Sequence, residues 1–361
     1  RADVGVAQHL LHRPLQHLEV AGAGVGLVPH ELAGQLLLGE GRGTQGAHVE
    51  GDLGGGEAED VEARLGQVAL ALLQGKYQET RFANYDSQMA KLRAEFQNLT
   101  PEEWNQSIYS GWLYALHLQN EPFPVGLGLP TFCLAPAYAD KCLVTACGSW
   151  AQLRHDALLY AKQSYTMLAT ALPPRQSEEP QSEIVYVEPR PAVFVQLETL
   201  ATGLKRRLGD TRMLSQDLGQ RLERLGQLAR AAGQVATGEQ QGRSVDDALV
   251  HELFSLGSSL EQLVSFPEQE SGLASEAQTM ATVADVHTDP NAGIVLEVAV
   301  GNPLEIIALV PFAGRYYLAR GGMLSYYEFT RPIDARMTDV QWQAMSPRPP
   351  LVDWCGSFVA P

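Results

Sequence analysis

The chain has 361 residues, 45% of them hydrophobic and 19% charged, a globular composition with length for two or three domains. Its formal net charge of −16, without a basic patch interleaved with aromatics, argues against nucleic acid and anionic membrane as partners. No run of eighteen apolar residues is present, so no transmembrane segment is expected.

Residues 1–75 differ from the rest. From Arg1 to Gln74 there is no Phe, Trp, Tyr, Lys, Ile, Met, Ser, Asn or Cys, whereas all these types return from Lys76 onward. A core needs aromatic and branched side chains to bury enough area, and this stretch offers mainly Leu, Val and Ala. The bias is that of GC-rich DNA translated in the wrong frame or from the wrong strand. The alternative is an alanine- and leucine-rich helical extension, for example Val61 to Leu73. Either way, the segment is expected to pack poorly, hold no site and be dispensable. Its histidines (His9, His12, His17, His30, His48) share no spacing and are not read as ligands. The first residue is Arg, and no signal-peptide pattern follows, so the chain reads as a fragment or a processed product.

Helix signals then dominate residues 76–283. Met89, Leu92 and Phe96 line one face of a helix over Asp86–Phe96. Thr100-Pro101-Glu102-Glu103 is a capping box with Pro at the first position, and the helix it opens runs to Leu118. Glu121–Pro136 reads as a loop, and a long helix is expected from Lys141 to Leu168. Pro173–Pro191 is a polar linker holding the strand-like run Ile184–Val187. Further helices are predicted at Ala192–Leu208, Met213–Ala232, Val245–Val264 and Ser271–Thr282. Leu214, Leu218, Leu222, Leu225 and Ala229 form an amphipathic stripe suited to bundle packing.

Near residue 284 the period changes. Gly293–Val300, Leu304–Pro311, Arg315–Arg320 and Met323–Thr330 are rich in Val, Ile, Tyr and Phe and punctuated by Asn302-Pro303, Ala313-Gly314 and Gly321-Gly322. They predict a small antiparallel meander over 284–335. A short helix at Thr338–Met345 and a proline-rich tail complete 336–361. The fold class is therefore mainly α, with a small C-terminal antiparallel β meander, and α+β overall.

Two stretches are dense in polar and titratable groups: Gly148–Tyr165, with Arg154, His155, Asp156, Tyr160, Lys162 and Tyr165, and Ala284–Asn291, with Asp285, His287 and Asp289. Together with Asn84-Tyr85-Asp86, Trp112–Leu116, Tyr186-Val187-Glu188-Pro189, Tyr316–Gly321 and Ser325–Phe329, they resemble the bacterial and archaeal family domain of unknown function 3160, over residues 77–358. The resemblance implies correspondence to the C-terminal half of longer members, which are often exported or lipid-anchored. It also implies that a missing N-terminal half packs on the helical domain. Cys142 and Cys147 depart from the family pattern.

The chemistry of these stretches leaves alternatives open. In an extended Asp285-x-His287-x-Asp289 the three side chains point to one side, and imidazole with two carboxylates suits zinc, manganese or iron. With Asn291 and main-chain carbonyls, calcium is also conceivable. The structural alternative is a capped turn with His287 bonded to a carbonyl. Arg154, His155 and Asp156 are consecutive and point about 100° apart around a helix, so they cannot all meet one ligand. Buried, Arg154 or Asp156 would need a partner, and Glu188 and Asp285 are the candidates. The four cysteines (Cys133, Cys142, Cys147, Cys355) lack C-x-x-C spacing and read as buried thiols, with a disulfide such as Cys133–Cys142 as the alternative. No G-x-S-x-G, Walker loop, H-E-x-x-H or dinucleotide fingerprint occurs. The expected function is a non-enzymatic envelope or extracellular binding or scaffold module. The alternative is a metal-assisted hydrolase with its pocket between 148–165 and 285–291.

Overall fold

A computed structural model describes residues 17–21, 98–124, 127–158, 185–243, 245–264, 279–312 and 315–358, with single positions between 87 and 96. Helix α1 (Pro101–Trp104) starts at the expected capping box: Thr100 Oγ1 accepts from Glu103 N, and the Glu103 carboxylate accepts from Thr100 N. A second reciprocal cap, Ser107 with Ser110, opens α2 (Ile108–Asn120) and splits what the sequence suggested was one helix.

Helix α3 (Pro136–Leu158) begins five residues earlier than expected, with Pro136 as its first residue, where the ring's fixed φ suits helix entry and its missing N–H costs nothing. The expected continuation to Leu168 lies outside the described residues. Ala146 and Leu153 pack into the helical core, whereas Leu143, Val144, Cys147 and Ala151 pack toward the sheet. A helix apolar on two sides shows no clean single stripe, and this one lies between two cores. Gly148 allows the closeness: a Cβ there would sit 2.7 Å from the Ser325 carbonyl oxygen.

Helices α4 (Pro191–Asp210), α5 (Gln216–Gln240), α6 (Asp247–Phe254) and α7 (Leu256–Val264) complete the helical layer. Its core holds Trp112, Leu113, Phe194, Leu225, Ala232 and Leu253, all buried. Each Leu or Phe side chain among them contributes about 1.5–3 kcal/mol by leaving water. The predicted helix Val245–Val264 breaks at Ser255, and α6 is capped by Asp246, whose carboxylate accepts from Ala248 N.

The C-terminal part contains more strand than expected, arranged otherwise than as one meander. Strand β1 is His17–Ala21 and β2 is Val185–Val187; β3 (Thr282–Asp289), β4 (Ile294–Val300), β5 (Leu304–Phe312), β6 (Arg315–Met323) and β7 (Tyr327–Pro332) follow. Strands β3, β4 and β7 form one antiparallel sheet, in that order. Strands β5 and β6 form an antiparallel hairpin in a second sheet of order β2-β1-β6-β5, where β1 runs parallel to both neighbours. The expected helix end at Thr282 is instead the start of β3, and of the stretch 285–291, for which an extended run and a capped turn were the alternatives, the part up to Asp289 is strand. Strand β1 falls in the segment that composition marked as poorly packing; residues 1–16 and 22–75 lie outside the described residues.

After β7, the chain crosses back over the three-stranded sheet as helix α8 (Asp339–Ala344), opened by the Thr338–Gln341 capping box. Trp342 is fully buried, donates from Nε1 to the Val300 carbonyl at 2.6 Å, and packs on Tyr327 and Phe329.

Candidate functional site

The three consecutive residues at the end of α3 divide as their helical spacing requires, with one exception. Arg154 and His155 are both buried. The His155 ring leans sideways to its neighbour, with Nδ1 3.0 Å from Asp156 Oδ1. Its other nitrogen, Nε2, lies 2.9 Å from Asp339 Oδ2. Asp339 Oδ1 in turn accepts from Val283 N at 3.0 Å. One carboxylate thus ties α3, the first residue of α8 and strand β3 together. Burial pulls the imidazole down, but the hydrogen bonds and charges of Asp156 and Asp339 outweigh it and raise His155 to about 9. It is therefore an imidazolium at neutral pH, held between two carboxylates.

The partners expected for Arg154 and Asp156 are engaged elsewhere. Glu188 forms a buried ion pair with Lys141. Burial lowers the Lys141 ammonium, and a carboxylate in contact is what a buried cation requires. Asp285 accepts from Arg336 Nη1 at 2.6 Å, and Thr288 Oγ1 accepts from Arg336 Nη2 at 3.0 Å. Lys162 and Tyr165 lie outside the described residues.

The Asp285-x-His287-x-Asp289 run is extended, as expected, but its alternation is broken. The pairing with β4 shifts between Asp285, opposite Glu297, and His287, opposite Leu296, so Val286 is an extra residue. Such a bulge re-aims the side chains beyond it. Asp289 Oδ1 accepts from Asn291 N and Ala292 N at 2.9 and 3.1 Å, and Gly293 takes a positive φ of 69° to close the β3–β4 loop. His287 is exposed. Among the described residues, no group of three His, Cys, Asp or Glu side chains is placed to hold a metal ion.

Glu297, Arg336 and Asp339 carry the site, and sequence reasoning missed all three. Glu297 is fully buried on β4, and its Oε1 accepts from Met337 N at 2.7 Å. Its Oε2 has no hydrogen-bond partner. Burial pushes this carboxyl up, the Met337 N–H works the other way, and the Asp285 carboxyl opposite adds to the rise. The available signal was a single charge inside the apolar run Ile-Val-Leu-Glu-Val-Ala-Val. Asp339 was legible only as an acidic residue following a Thr cap.

The two polar stretches therefore meet at neither of their own centres. They meet at the segment 336–339: Arg336 holds Asp285, Met337 N holds Glu297, and Asp339 holds both Val283 N and His155. A second buried carboxyl lies nearer β2. Glu239 accepts from Val187 N at 3.1 Å, and burial raises it to about 8 despite that bond. All four cysteines are buried and outside any disulfide, and burial pushes the Cys133 thiol up to about 12. No helix among the described residues is long and apolar enough to cross a membrane.

The chain belongs to the family described as Protein of unknown function (DUF3160), whose model matches residues 57–355. The match covers most of the chain. It starts upstream of the expected residue 77, inside the segment that composition sets apart, and does not single out a C-terminal half. No curated protein and no solved structure matches the chain.

Proposed function

We propose that this protein is a non-enzymatic binding or scaffold module of the cell envelope, in which the polar cluster around 336–339 fastens the helical layer to the three-stranded sheet. The observation that carries this reading is that Asp339 serves two elements at once, accepting from Val283 N while pairing with His155. Asp285, Asp289 and Glu188 are likewise already engaged by groups of the same chain. A group used to hold the fold is not free to bind and release a substrate on each turnover. The net charge of −16 supports a partner other than nucleic acid. The envelope location rests on the resemblance alone.

The test combines metal analysis with substitution. The purified chain, grown with zinc and manganese supplied, is expected to carry no stoichiometric metal and to lose stability in Asp339→Ala. Stoichiometric metal that disappears in His287→Ala with the fold intact would favour the metal-assisted hydrolase instead.

A further inference from the structure

We propose that the segment Arg336–Asp339 is a latch held closed by two protons, one on His155 and one on Glu297. The inference rests on the fastening role of this segment and adds what controls it. The geometry places a proton-dependent group at each end. At one end, His155 stands between the Asp156 and Asp339 carboxylates, 3.0 and 2.9 Å away. Only the imidazolium donates from both ring nitrogens; the neutral ring donates from one and leaves one carboxylate without its donor. At the other end, Glu297 is fully buried, with Oε1 occupied by Met337 N and Oε2 without a partner. An ionised oxygen in that position accepts no hydrogen bond to stabilise its charge, and protonation removes the charge.

The surrounding groups point the same way. Facing Glu297 are Asp285 from β3, whose like charge disfavours ionisation, and Arg331 from β7, which opposes that effect. Arg336 is committed to Asp285. Among the described residues, Asp156 from its own helix and Asp339 from α8 face His155, with Arg154 beside it in sequence; β3 contributes the Val283 N–H, which Asp339 also takes. Raising the pH removes both protons. Neutral His155 then leaves the Asp156 and Asp339 carboxylates without the positive charge between them, and ionised Glu297 adds a buried charge facing Asp285, so the segment opens before the rest of the fold.

Native-state hydrogen exchange on the full chain from pH 7 to 10, corrected for intrinsic exchange, tests this at the Val283 and Met337 amides. Protection at both should fall as pH rises toward about 9, the value to which His155 is raised, by up to about tenfold per pH unit, and level off above it, while amides in α4 and α5 keep theirs. Glu297→Gln keeps a carbonyl acceptor for Met337 N but cannot ionise, and should lessen the loss of protection at Met337. Protection that is flat with pH, or that falls equally throughout the molecule, would overturn the proton inference. Asp339→Ala at pH 7 separates the two ideas. If it leaves Val283 protection unchanged, the fastening role itself fails; if it lowers protection while the parent profile stays flat, only the proton control fails.

Discussion

His155 and Asp339 are 184 residues apart in sequence and 2.9 Å apart in the fold. The contact joins the last described turn of α3 to the first residue of α8, and it sits beside the Val283 N–H that the same carboxylate accepts. Three elements that share no local sequence signal are thereby fixed by one side chain.

Asp339→Ala should destabilise the protein by about 2–3 kcal/mol, because it takes one of two carboxylates from a buried imidazolium and the acceptor from a backbone N–H. Urea unfolding measures this directly. Asp339→Asn, which keeps an acceptor oxygen, should cost less than the alanine change.

Arg336→Ala should cost under about 1 kcal/mol. Its bond to Asp285 is short, but both side chains are partly exposed, at 42% and 27%, so solvent screens the pair. The same unfolding experiment checks the contrast. A loss as large as that of Asp339→Ala would mean that the Arg336 end carries the fastening.

Stability should decline from neutral toward alkaline pH. His155 is raised from 6.5 to about 9 in the fold, so its contribution is complete below 6.5 and is lost as pH rises through about 9. Glu239 is raised from 4.5 to about 8, so the preference of the fold for its protonated form is likewise lost as pH climbs through about 8. Thermal melts from pH 5 to 10 should therefore show a falling Tm. His155→Gln should remove the upper part of the fall. Glu239→Gln should leave the variant more stable than its parent above pH 8, relative to their difference at pH 5.

The helical half was largely legible because its signals are local. The Thr100–Glu103 capping box, the Leu218–Leu222–Leu225 stripe and the Thr338 cap each announce an element within a few residues. The strand content near 282–291 was harder to read. Thr282 and Val283 are buried by pairing with Val300 and Ala299, and nothing in their own neighbourhood separates them from a helix end. The site was least legible. A D-x-H-x-D run implies convergence only where strand alternation is unbroken, and the bulge at Val286 depends on the partner strand. Glu188 and Asp285, read as candidate partners for Arg154 or Asp156, pair with Lys141 and Arg336, which lie elsewhere in the sequence.

His287→Ala should change stability by less than about 0.5 kcal/mol, since the side chain is exposed. Adding zinc to the parent chain should raise its Tm no more than it raises that of the variant. A zinc-dependent rise confined to the parent would establish His287 as a ligand.

The most direct measurement is a double-mutant cycle between His155→Ala and Asp339→Ala, read by urea unfolding at pH 7. The two losses should be strongly non-additive, with a coupling of about 1–3 kcal/mol between the residues. Losses that add to within about 0.5 kcal/mol would contradict the fastening role of this contact.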